Sequence, residues 1–248
     1  MNGDPSPHLE RQRRFYQSRG HQHLQAHVDD YYSAKLVETL VRECGIDPEH
    51  RVLEVGAGFG RFTLHLLRHC REVVAVDLSA RALEALEESC RAAGIPDDRC
   101  LTVEADIDDP NVEALKGPFD FVVGFYVLHH LADYAATLCH LAPKLVPGGR
   151  TAFIEPNRRN PLFLAQVAFC ADMDWKEEKG MFQLSAAGVE RAFAGAGLRS
   201  RPTHRFGFFP PPVLQHWPPS RAIENRLEHL PGLGWVLPLL LLSAEAPS

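Results

Sequence analysis

The chain lacks the marks of several large classes of protein. Its 248 residues carry no excess of positive charge: 26 Lys and Arg stand against 32 Asp and Glu, a formal net charge of −6. Nucleic-acid binders generally display a basic face, so that class is disfavoured. There are only six cysteines and none form a C-x-x-C pair. Spread evenly through a chain of this length, they read as reduced thiols of an intracellular protein, not as a disulfide framework. No long hydrophobic run is present. The longest, Leu233–Leu242, is broken by Gly234 and Pro238. That is far short of the ~20 residues a membrane-spanning helix requires. The first residues, Met1–Arg14, are polar and lack an apolar segment, so the expectation is a cytoplasmic protein with no secretory signal and no stable membrane insertion. No H-E-x-x-H word and no internal repeat occurs.

Apolar residues make up 45% and charged residues 23% of the chain, values ordinary for a packed globular protein. Short, nearly continuous apolar runs alternate with helical patterns, which predicts a parallel sheet covered on both faces. The expected strands are Arg51–Val55, Glu72–Val76, Cys100–Glu104, Phe119–Phe125 and Thr151–Glu155, followed by two more near Ser200–Phe208 and Leu239–Ala244. Expected helices run from Asp29 to Cys44 with Gly45 as stop, from Ser79 to Gly94, from Asp133 to Pro147, and from Ser185 to Gly197. Nine of the 19 prolines fall between Arg201 and Ser248, predicting punctuated loop there with a short helix near Ile223–Leu230. The whole chain reads as one domain. Residues 1–45 form a helical lid, 50–155 the core, and 156–183 and 209–235 excursions over the active face.

The strongest chemical signal is Val52-Leu53-Glu54-Val55-Gly56-Ala57-Gly58-Phe59-Gly60-Arg61. A buried strand ends in a carboxylate and opens into a glycine loop, where backbone can turn tightly and a ligand can approach closely. The helix after Gly60 is expected to offer free N–H groups to an anion. Position 61 is Arg, so the spacing is G-x-G-x-G, which argues against a standard dinucleotide fingerprint. The second strand ends in Asp77, 19 residues after Gly58, placed to accept ribose hydroxyls. The third ends at Ala105-Asp106-Ile107, with Asp106 facing an adenine amino group and Ile107 its ring. The fourth runs Phe119-Asp120 onward to Phe125-Tyr126-Val127-Leu128-His129-His130. All four motifs are expected at strand C-terminal ends, where open α/β sheets bind ligands.

This ordered set, with Leu145-Val146-Pro147-Gly148-Gly149 before the fifth strand, resembles the class I, Rossmann-like S-adenosylmethionine-dependent methyltransferases. The resemblance implies a doubly wound, mostly parallel seven-stranded sheet with an antiparallel last strand. It implies S-adenosylmethionine as cofactor, with Glu54, Gly56, Ala57, Gly58 and Gly60 at its methionine part. Asp77 and Leu78 would hold the ribose, Ala105, Asp106 and Ile107 the adenine, and Phe125 would line the adenosine or methionine side.

The reaction implied is methyl transfer to a small, apolar metabolite, with oxygen the first acceptor and carbon or nitrogen close behind. A phenolic or acidic acceptor favours a general base, for which His130 and then His129 are candidates. The rival reading makes both packing residues. Related quinone-pathway O-methyltransferases carry a Glu-x-x-Glu-His metal set; here Tyr126, His129 and His130 occupy those positions, so no metal is expected. His21, His23 and His27 lack metal-site spacing. Tyr31 and Tyr32 on the lid, and Asn157 and Arg158 beyond the fifth strand, are the candidate substrate contacts. For the tyrosines a solvated arm, and for Arg158 a solvated arginine, are the alternatives. No Asn-Pro-Pro-Tyr or Asp-Pro-Pro-Tyr word follows the fourth strand, which speaks against base amino methylation. Macromolecular methylation and a cofactor-binding protein without transferase activity are the remaining alternatives. The expected state is monomer or homodimer.

Overall fold

A computed structural model describes residues 30–107, 115, 117–161 and 184–248. Eight strands form one sheet: β1 (Arg51–Val55), β2 (Glu72–Asp77), β3 (Cys100–Glu104), β4 (Phe119–Phe125), β5 (Leu145–Pro156), β6 (Arg199–Ser200), β7 (His204–Phe206) and β8 (Leu239–Glu245). Their order is β3-β2-β1-β4-β5-β8-β6, with β7 also on β8. β1 to β5 pair in parallel, and β8 runs antiparallel to β5, β6 and β7.

The expected seven strands are therefore present, the sixth in two pieces. Ser200 pairs with Ala244 and His204 with Leu241, so four steps along one strand face three along the other. Pro202 sits in the interruption. Without an N–H it cannot continue the ladder, and one extra residue is accommodated as a bulge.

Among the described residues seven α-helices accompany the sheet: α1 (Tyr31–Cys44), α2 (Thr63–Leu66), α3 (Ala80–Ala92), α4 (Tyr134–Leu141), α5 (Ala186–Gly195), α6 (Pro211–His216) and α7 (Pro219–Leu227). Side-chain caps begin α3, α4 and α5 at Ser79, Asp133 and Ser185. α1 starts one residue later than expected, because the cap is Asp30 and not Asp29. Its carboxylate accepts from the Tyr32 and Ser33 N–H groups, relieving two of the helix's orphan donors. Gly45, left-handed at φ 76°, ends it.

Side chains alternate across the pleat, so the sheet builds two cores. Leu36, Leu40, Val52, Ala75, Leu86 and Val123 lie on the side of α1, α2 and α3. Leu53, Val74, Val122, Leu138, Phe153 and Phe193 lie on the side of α4 and α5. β1, β2, β4 and β8 are buried almost throughout, as continuous apolar strands demand. β3, at the edge, is only partly covered. Among the described residues no helix is long and apolar enough to cross a membrane.

Candidate active site at the strand C-terminal ends

The glycine loop is bound to the end of β2. The N–H groups of Gly56 and Ala57 donate to the Val76 carbonyl, and Gly60 N–H closes a turn on Ala57. Gly56, Gly58 and Gly60 all take positive φ, at 70°, 53° and 81°, a region costly for residues with a Cβ. Space separates their roles. A Cβ on Gly56 would stand 2.6 Å from Val127 Cγ2, and one on Gly60 would fall on the Leu86 side chain; one on Gly58 would meet nothing within 4 Å. Gly56 and Gly60 are thus small for packing, whereas Gly58 leaves its backbone open to a ligand.

Asp77 lies beneath that opening. Its Oδ2 accepts from Gly58 N–H at 2.8 Å and its Oδ1 from Ser79 N–H at 2.9 Å. Burial raises its pKa, and N–H groups from Ser79, Gly58 and Leu78 oppose that rise. Each carboxylate oxygen can accept a second bond, so capacity for ribose hydroxyls is retained. Ala105 N–H donates to the Asp77 carbonyl, which brings Ala105, Asp106 and Ile107 to the same rim. Ala105 and Ile107 are buried.

Glu54 is buried near the end of β1, with no hydrogen-bond partner for Oε2 among the described residues. Burial, with the charge of Asp77 adding to it, pushes its pKa up to about 8. A buried carboxylate short of partners is suited to a cation, and this cradle fits the ammonium and sulfonium of S-adenosylmethionine.

Beyond β4 the chain turns at Tyr126, among the described residues the one non-glycine with positive φ, 55°. The following loop is built on Glu155 at the end of β5. Its Oε1 accepts from the N–H groups of Val127 and Leu128 at 2.9 and 2.8 Å, and its Oε2 faces His129 Nδ1 at 2.6 Å. Both side chains are buried. The His130 ring is 4.0 Å from that of His129, and His130 is only partly covered. A fixed inner histidine and an accessible outer one therefore stand beside Val127, which covers Gly56.

Several sequence expectations take a different form. The helix after Gly60 is a single short turn, Thr63–Leu66, without a side-chain cap. β2 begins at Glu72, which leaves no length for a longer helix. Asp120 belongs to the opposite end of the sheet, where Oδ2 accepts from Arg51 N–H at 2.7 Å. Phe125 stacks on Phe62 at 4.2 Å and is buried. Asn157 is turned inward: Nδ2 donates to the Trp235 and Leu237 carbonyls, and Oδ1 accepts from Arg159 N–H. Arg158 is exposed. Glu155 braces the loop, a role visible only once β4 and β5 are paired.

Of the two candidate tyrosines, Tyr32 meets the residue after β4 and Tyr31 meets α7. Tyr32 Oη lies 2.7 Å from Tyr126 Oη. Arg61 binds Asp30 and Ser33 and lies 5.6 Å from the Tyr32 ring. Tyr31 stacks under Arg221 at 3.8 Å. His21, His23, His27 and the 162–183 part of the first excursion lie outside the described residues. Among the described residues no group of three His, Cys, Asp or Glu is placed to hold a metal ion.

The fold and rim are those of class I S-adenosylmethionine-dependent methyltransferases. The methyltransferase-domain family model matches residues 16–203, well over half the chain, and the chain belongs to that family. It is 27% identical over 181 residues to a ubiquinone biosynthesis O-methyltransferase of Rhizobium etli, 70% of this chain and 69% of that one. It is 26% identical over 176 residues to an S-adenosyl-L-methionine-dependent Diels-Alderase of Talaromyces variabilis, 71% of this chain and 55% of that one. A 39% identical Synechococcus relative is matched over only 24% of its length. The chain thus spans about a quarter to about half of these last two relatives. A SAM-dependent methyltransferase from Aquifex aeolicus superposes with TM-score 0.60 at 16% identity, covering 88% of this chain and 94% of that one. N-methyltransferase NodS of Bradyrhizobium japonicum, solved with S-adenosyl-L-homocysteine, superposes at TM-score 0.55 and 16% identity over 97% of each chain. At such identities the likeness is one of fold.

Proposed function

We propose that this protein is a cytoplasmic enzyme that transfers a methyl group from S-adenosylmethionine to a small, apolar metabolite, with oxygen the preferred acceptor. One observation carries the reading. The open Gly58 backbone over Asp77 and the partly covered His130 share one rim, joined through Val127 against Gly56. Glu54 to Gly60 would hold the methionine part, Asp77 with Leu78 the ribose, and Ala105 to Ile107 the adenine. The bound group supplies an electrophilic methyl carbon. The protein's own contribution is to orient that group and the acceptor in line, which alone lowers the barrier substantially.

His130 acts as the general base in this reading. Glu155 fixes His129, and the His129 ring supports His130. A neutral imidazole takes a proton from an acidic hydroxyl near neutral pH. His130→Ala is expected to lower kcat about 10²–10⁴-fold with cofactor affinity unchanged. Near-native kcat in the variant would refute the role. No metal step is included, because positions 126 and 129 carry no carboxylate. Turnover is expected to survive chelation.

Mass spectrometry of ligand co-purified with the protein, followed by a labelled-methyl screen against metabolite pools, tests the function. A second reading, S-adenosylmethionine-dependent chemistry without methyl transfer, is favoured by the similarity to the Diels-Alderase. Conversion of an acceptor without incorporation of label would select it.

A further inference from the structure

Tyr32 and Tyr126 come from opposite parts of the chain, the first turn of α1 and the end of β4, yet their hydroxyls meet at 2.7 Å. Two hydroxyls carry two protons, and the bond between them uses one. Among the described residues neither oxygen has a second hydrogen-bonding partner. One donor is therefore left over.

Four features set the pair beside the site. Tyr126 is held at φ 55°, a conformation expensive for a bulky residue and found where surrounding structure imposes it. Its N–H donates to Ile154 O at 2.9 Å, which locks the turn to β5. Both tyrosines pack against the core and are only partly covered, so the pair stands at the core's edge. The pair also lies on the same rim as the glycine loop, one residue before Val127, which covers Gly56.

Its surroundings are aromatic and charged. Phe62 lies 6.1 Å from the Tyr126 ring, and Arg61 stands over the Tyr32 ring at 5.6 Å. The carboxylates of Asp30 and Glu224 act on Tyr32, and that of Glu155 acts on Tyr126. Burial raises the pKa of both phenols, so both keep their protons near neutral pH.

We propose that the Tyr32–Tyr126 pair is a hydrogen-bond relay that donates its remaining proton to an oxygen of the methyl acceptor, and that the acceptor is an aromatic compound bearing a phenolate or carbonyl oxygen. This rests on the methyltransferase reading of the same site. The two tyrosines act as binding and positioning residues. One donates to the other, the second donates to the ligand, and each bond polarises its neighbour.

The test uses the full chain saturated with S-adenosylhomocysteine, with 4-nitrophenolate as a chromophoric probe. Calorimetry gives the affinity for S-adenosylhomocysteine, and absorbance gives probe affinity and the apparent pKa of the bound probe. The wild-type protein is expected to bind the anion and to lower the probe's apparent pKa. The double variant Tyr32→Phe/Tyr126→Phe is expected to bind about tenfold or more weakly, as loss of a hydrogen bond to a charged group implies, and to abolish the pKa change. The single variants are expected to be non-additive, the double being no worse than the more severe single. S-adenosylhomocysteine affinity is expected to stay native in all three. Three results would overturn the proposal: no probe binding by wild type, native probe affinity in the double variant, or a matching fall in S-adenosylhomocysteine affinity. The last would assign the pair to the cofactor. Absence of S-adenosylhomocysteine binding by wild type would sink the parent reading as well, which separates the two failures.

Discussion

Glu54 presents a single carboxyl group with two opposed demands. Burial favours its neutral form, pushing the pKa to about 8 from an ordinary 4.5, while a cationic ligand favours its ionised form. Between those values the unfolded chain has lost the proton and the folded chain retains it. Stability of the ligand-free protein should therefore fall as pH rises through this window, by up to about 1.4 kcal/mol per pH unit. Glu54→Gln should flatten that slope, as urea titrations across pH would show. Binding of S-adenosylmethionine at pH 7 should release up to one proton from Glu54. Calorimetry in two buffers of different ionisation enthalpy reads this directly; equal apparent enthalpies would disprove the coupling. Asp77 is expected to behave more simply. Asp77→Ala should weaken S-adenosylmethionine by about 1.5–3 kcal/mol, the magnitude of charge-assisted hydrogen bonds. Unchanged affinity in a folded variant would remove the ribose assignment.

Between elements, α1 and α7 meet through buried charge. Lys35 of α1 contacts Glu224 of α7 and, at 2.6 Å, Glu228. The same carboxylates accept from the N–H groups of Gly207, Phe208 and Phe209. Glu224 is fully buried, so removing its cation leaves an uncompensated charge. Lys35→Met should cost about 3–5 kcal/mol, read as a lower urea midpoint, and adding Glu224→Gln should recover part of it. An unchanged midpoint would mean that solvent already compensates Glu224. This junction was not legible in the sequence. Its partners lie 189 residues apart, and no local pattern joins a lysine in one helix to glutamates in a proline-rich stretch. The helix caps were legible, because Ser79, Asp133 and Ser185 act on N–H groups two or three residues away. Asp29 was the near miss. Two adjacent aspartates are equivalent by composition, and only the Asp30 bonds to Tyr32 and Ser33 distinguish them.

Across the whole molecule, cofactor site and sheet are one construction. The glycine loop, Asp77 and the 105–107 turn are consecutive strand ends, which is why their common rim could be expected from spacing. The meeting of Tyr32 with Tyr126, and of Glu155 with His129, could not, because each arises only through topology. This division separates two kinds of glycine change. A Cβ at Gly60 strikes Leu86, whereas at Gly58 it enters empty space. Gly60→Ala should lower the stability of the ligand-free protein. Gly58→Val should cost the ligand-free protein only the left-handed strain, about 1–2 kcal/mol, while its side chain blocks the approach of ligand. S-adenosylhomocysteine at a hundred times its dissociation constant should stabilise the native protein by about 2.7 kcal/mol. For a chain of this size that is about 5–10 °C in Tm. Gly58→Val should melt about 2–8 °C below the ligand-free wild type and gain nothing from the ligand. Gly60→Ala should melt lower and retain part of the ligand's shift. A full ligand shift in Gly58→Val would make the loop a turn and nothing more, and the cofactor would then have to approach the sheet from elsewhere.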